Sequence, residues 1–198
     1  MKKSLLKSLG LLLLFPGIAA AHTGVGETTG FMHGFGHPIG GADHLLAMIA
    51  VGLWAAQAGG RALWVVPSTF VVVMVLGGVV GFSGVPVPFI EEGILGSVLV
   101  LGVLIACAYR LPLAYSALIV GFFAIFHGYA HGAEMPSATA IGAASYTVGF
   151  AVATAILHTA GVAFGVLAQR ISLEQVNRLA GSAIALGGIY LAISFCPL

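Results

Sequence analysis

The chain has 198 residues, of which 60% are hydrophobic and only 7% charged, with seven Lys and Arg against six Asp and Glu. Soluble domains carry about 25% charged residues, so this composition excludes a water-soluble globule and leaves an all-α membrane protein. Nothing in so even a charge balance offers a basic patch for nucleic acid.

At the N-terminus, Lys2, Lys3 and Lys7 precede a short apolar core at residues 9–14. Pro16 and Gly17 break that core, and Ala19, Ala20 and Ala21 supply the small residues that a signal peptidase requires. We expect residues 1–21 to be a cleaved signal peptide and residues 22–198 to form a single transmembrane domain. Its first residue, His22, would present an α-amine and an imidazole together, a pair able to chelate a metal ion.

A bilayer-spanning helix needs ~20 apolar residues. Six segments meet that length, at 38–58, 62–83, 88–109, 112–131, 139–168 and 177–195, and predict six transmembrane helices. Pro38, Pro88 and Pro112 stand at three of the predicted helix starts, where a missing N–H costs nothing. The 29 glycines suit such a bundle, because small residues let helix backbones approach closely in lipid. With the N-terminus outside, Arg61, Arg110, Arg170 and Arg178 all fall in alternate loops on the inner side, as the positive-inside rule requires. This orientation predicts a multi-pass protein of the inner (cytoplasmic) membrane with a periplasmic N-terminus. Cys107 and Cys196 have no metal or redox spacing and read as packing residues.

Ionisable residues inside spans are costly, and each marks a functional hypothesis. Three groups stand out. The first runs from His33 through His37 to Asp43 and His44, with Gly40 and Gly41 leaving room for close approach. On one continuous helix from Pro38, His37 at its N-cap would share a face with His44. Asp43 can ligate a cation itself or fix the tautomer of a neighbouring histidine. The second group, His127, His131 and Glu134, has the spacing of one helical face. Glu91 and Glu92 form the third, at the outer end of the third span, and adjacent positions let only one face the interior, with Glu91 favoured. His158, deep in the fifth span, reads as an exit-side station or as a core hydrogen-bonding residue. Met48 and Phe70 read as packing.

Imidazole and carboxylate without thiolate argue against Cu(I), and this many histidines argue against the all-oxygen sites of Mg and Ca. Nickel, cobalt and zinc stay open on chemistry alone. Two stretches sharpen the choice: His37-Pro-Ile-Gly-Gly-Ala-Asp43-His44 followed by Ala47-Met48, and Phe126-His127-Gly-Tyr-Ala-His131-Gly-Ala-Glu134. They closely resemble the signature regions of the HupE/UreJ family of small membrane proteins. The His-x5-Asp-His spacing is one residue longer than the His-x4-Asp-His of the larger nickel/cobalt transporter family. The resemblance extends over the chain in length, leader and span count. It implies nickel supply to hydrogenase or urease, with cobalt in some members. It also implies that His37, Asp43, His44, His131, Glu134 and a glutamate of the third span matter for transport.

The resulting expectation is a non-enzymatic importer of a divalent transition metal, Ni2+ before Co2+ or Zn2+. The ion is cargo rather than a resident cofactor, and its partners are the metal and the bilayer, with a homo-oligomer left open. The rival classes are a membrane metal receptor or sensor without transport, a b-type haem protein with axial histidines from two helices, and a metal hydrolase. The last lacks a His-Glu-x-x-His motif.

Overall fold

The computed structural model describes residues 30–135 and 139–195. The predicted signal peptide and His22 lie outside the described residues, as does Cys196. Within them the chain forms α1 (Gly30–Gly40), α2 (Ala42–Ala58), α3 (Ala62–Phe82), α4 (Ile90–Ala106), α5 (Leu113–Ala133), α6 (Ala140–Arg170) and α7 (Glu174–Phe195). Four of the seven, α3, α5, α6 and α7, are long and apolar enough to cross a bilayer, and α1 with α2 adds a fifth if the pair is one broken span. At 17 residues, α4 is shorter than the expected 88–109 segment. Phe89 (φ 60°) and Ala108 (φ 52°) take left-handed backbone at its two ends and stop the helix there.

The first span departs most from expectation. Pro38 does not begin a helix; it lies inside α1, and the break falls at Gly41, whose extended backbone (φ −95°, ψ 124°) precedes α2. The two helices meet at 81°. A Cβ on Gly41 would lie 2.7 Å from Asp43 Oδ1 and 3.3 Å from His44 Nδ1, so the turn depends on a residue with no side chain.

Backbones touch where glycines face each other. On the α3–α5 contact, a Cβ on Gly128 would strike the Met74 carbonyl, and one on Gly132 the Gly78 carbonyl. Without hydrophobic attraction between helices in lipid, such close packing is what holds them. It also sets the register of His127 and His131, each next to one of these glycines. The core below contains Met48, Trp54, Phe70, Met74, Tyr146 and Phe150, all essentially fully buried. Val72, Leu76, Leu118, Phe122, Leu186 and Ile193 point outward and are exposed, a surface suited to acyl chains and not to water.

Charge separates along the bundle. The ends of α2, α4 and α6 and the start of α7 are tied together: Trp54 Nε1 donates to the Tyr109 carbonyl (3.1 Å), Gln57 Nε2 to Ile105 (3.0 Å), Gln169 Nε2 to Ala56 (2.9 Å) and Arg178 Nε to Ala106 (2.9 Å). The Ala56 and Ala106 carbonyls are helix-end acceptors with no partner in their own helix, whereas Ile105 also accepts from the Ala108 N–H and Tyr109 lies in the loop after α4. Arg61, Arg110, Arg170 and Arg178 all flank this end. Asp43, Glu91, Glu92 and Glu134 flank the opposite one. Cys107, at the C-terminus of α4, is exposed and so is no packing residue, because the helix unwinds there.

Candidate metal-binding cluster

Four imidazoles meet at the carboxylate end, contributed by α1, α2 and α5. His37 lies 4.7 Å from His131 between ring centres, His131 lies 4.8 Å from His44, and His44 lies 4.8 Å from His127. His37 and His44 are 6.0 Å apart. They come together because the chain folds back at Gly41, not because they share a helical face. His44, His127 and His131 are buried.

The hydrogen bonds fix which ring atoms are free. Asp43 Oδ1 accepts from the His44 backbone N–H (2.7 Å) and from His44 Nδ1 (3.0 Å). A carboxylate can only accept, so Nδ1 carries the proton and Nε2 keeps its lone pair. That Nε2 is buried and has no partner among the described residues. Asp43 thus orients His44. Ser97 on α4 does the same for His127. Its hydroxyl donates to the Ile94 carbonyl (2.6 Å), so it can only accept from His127 Nε2–H (2.9 Å). Nδ1 of His127 is then the lone-pair atom, and it too has no partner among the described residues. Acceptors bonded to the far ring nitrogen in this way set tautomer, ring direction and basicity in histidine metal sites.

His131 is held by packing. Its ring stacks on Phe150 at 4.8 Å and 9°, and both nitrogens lack partners among the described residues. His37 reaches Glu134, with Nε2 to Oε2 at 3.3 Å, where Glu134 is mostly exposed. Glu134 caps α5 instead of continuing the helical face of His127 and His131. Glu91 is exposed at the start of α4, within electrostatic range of Asp43, His44 and Glu134. His33 is exposed and touches Tyr146 at 5.8 Å, one turn outside the imidazole cluster.

Two imidazoles sharing one ion through nitrogens ~2.0–2.1 Å from it would have ring centres ~4.5–5.2 Å apart for octahedral to tetrahedral angles. The observed 4.7–4.8 Å spacings fall in that interval. The rings nevertheless meet edge to face. Among the described residues, no group of three or more His, Cys, Asp or Glu side chains is arranged to hold a metal ion as it stands. Coordination therefore requires the side chains to rotate within a preassembled neighbourhood. Sequence reasoning missed Ser97, Tyr146 and Phe150. A serine in an apolar helix usually bonds its own preceding turn, so nothing in the sequence separates Ser97 from the equally buried Ser116.

The fold and the cluster together define a polytopic helical membrane protein with a buried group of imidazoles flanked by carboxylates. The family model described as HupE / UreJ protein matches residues 10–191. Protein HupE of Rhizobium leguminosarum bv. viciae is 44% identical over 181 residues, covering 91% of this chain and 93% of that protein. The chain belongs to the HupE/UreJ family. No solved structure matches it.

Proposed function

We propose that this protein imports a divalent transition metal, Ni2+ in preference to Co2+, from the periplasm across the inner membrane for the maturation of metalloenzymes. The observation that carries the reading is the pair of unpartnered lone pairs, His44 Nε2 and His127 Nδ1, beside the unpartnered His131. Their ring centres lie at distances that suit shared coordination once the rings turn, and the neutral imidazoles select for borderline metals. In this reading α1–α2 is one broken span and α4 a short sixth one. Broken helices at a binding site are common in transporters, where irregular backbone lines the substrate path. The signal peptide is removed, and the arginine-flanked end faces the cytoplasm.

Asp43, Glu91 and Glu134 would draw a dication to the mouth and offset its charge. His37 would hand it to His131, His44 and His127. Release inward would require that coordination to break. No resident cofactor is needed. The test is radioactive nickel uptake by cells making the protein, with Asp43→Asn and His44→Ala as comparisons and cobalt and zinc as competitors. Uptake that depends on both residues, in protein that reaches the membrane, supports the reading. Wild-type uptake equal to that of empty cells, despite correct insertion, contradicts it.

A further inference from the structure

Beyond the cluster, α6 presents Tyr146, Phe150, Thr154 and His158 at four-residue spacing, all buried along one face. The first two touch the cluster, through His37 and His131. Thr154 Oγ1 reaches Met74 Sδ at 3.7 Å. His158 stands edge-on to Phe70 at 5.2 Å and 90°, and the same Phe70 ring lies 5.5 Å from His127. Eight residues of helix carry His158 roughly 12 Å beyond Phe150, toward the arginine end.

His158 is 1% exposed, yet neither ring nitrogen has a hydrogen-bond partner among the described residues. A histidine retained for structure would use its ring to satisfy a neighbour, and an unsatisfied buried polar ring costs stability that a leucine would not. The Phe70 ring thus contacts both this histidine and His127 of the cluster.

Resting on the transport reading, we propose that His158 is a second, inner station for the divalent metal ion, reached from His127 when the Phe70 ring moves aside. The outer cluster offers several imidazoles and retains the ion. The inner station offers one, with Thr154 Oγ1 and Met74 Sδ between the two sites, and so releases it readily. The ion changes ligands without any redox step.

The test uses purified full-length protein. Cobalt(II) absorption titration reads the outer cluster, and nickel uptake into proteoliposomes reads transport. His158→Leu and His158→Gln should keep the cobalt affinity within about twofold and the thermal midpoint at or above that of wild type. Both should slow initial nickel uptake at least tenfold. Uptake within twofold of wild type in either variant overturns the inference, and so does a loss of uptake that comes with lost cobalt affinity, which marks a structural role. If the leucine variant does not fold, the glutamine variant decides. Wild-type protein that binds cobalt but moves no nickel overturns the transport reading itself, and the inner station with it.

Discussion

Ser97→Ala removes a single hydroxyl on which the orientation of His127 depends. Ser97 Oγ is fully buried and is the acceptor that holds His127 Nε2–H at 2.9 Å. Without it, the imidazole loses the bond that selects its tautomer and leaves a buried N–H unpaired, a cost of about 1–3 kcal/mol. The ring then rotates or exchanges its proton to Nδ1, the atom that must stay free. Losing the hydrogen-bond partner behind a histidine ligand typically weakens metal binding ~10–100-fold, or about 1.4–2.8 kcal/mol. Cobalt(II) titration of the purified protein should show a Kd raised by that factor, with nickel uptake falling in parallel. Ser116→Ala provides the comparison: that hydroxyl is buried without a partner among the described residues, and its removal should leave Kd within about twofold. An unchanged Kd in folded Ser97→Ala protein would refute the assigned tautomer and the place of His127 in the site.

Gly41→Ala should displace the Asp43 carboxylate from His44, because the added Cβ would lie 2.7 Å from Asp43 Oδ1. Cobalt affinity should fall at least tenfold while α2 remains helical by circular dichroism. Gly132→Ala should act on folding instead. Its methyl would meet the Gly78 carbonyl and force α3 and α5 apart, at about 1–3 kcal/mol, seen as a lower thermal midpoint in detergent. Glu134→Gln removes the charge facing His37, and should lower nickel uptake several-fold, most at low salt, where an exposed carboxylate acts furthest. Cobalt binding should weaken on acidification, since a protonated ring has no lone pair to give; binding that strengthens as pH falls would count against imidazole ligands.

Much of this site was readable from the chain. An Asp next to a His, and two histidines one turn apart, are costly in an apolar helix, so Asp43, His44, His127 and His131 stand out in the chain as candidates. The alternation of arginine-bearing loops likewise anticipated the charge separation between the two ends. The break at Gly41 was not readable. Proline favours a helix start, which points to Pro38, but α1 packs Gly34 closely against the Tyr146 carbonyl and is long enough to form upstream of it. That packing is a tertiary effect. It changes how His37 meets the others, from a shared helical face to a folded corner. Phe70 and Phe150 were equally silent, because an aromatic lining a path and an aromatic filling a core have the same local pattern. His158 was ambiguous for a related reason: only the absence of a hydrogen-bond partner among the described residues separates a station from a packing histidine.

Transport by this site requires that imidazoles from α1, α2 and α5 converge on one divalent ion. X-ray absorption at the nickel edge, on purified protein loaded with one equivalent of Ni2+, reads that coordination without an intermediate step. The expected spectrum carries the multiple-scattering signature of at least two imidazoles per nickel, reduced in His44→Ala and in His131→Ala. A spectrum of oxygen ligands alone, or one unchanged by both substitutions, would show that the histidines do not share the ion.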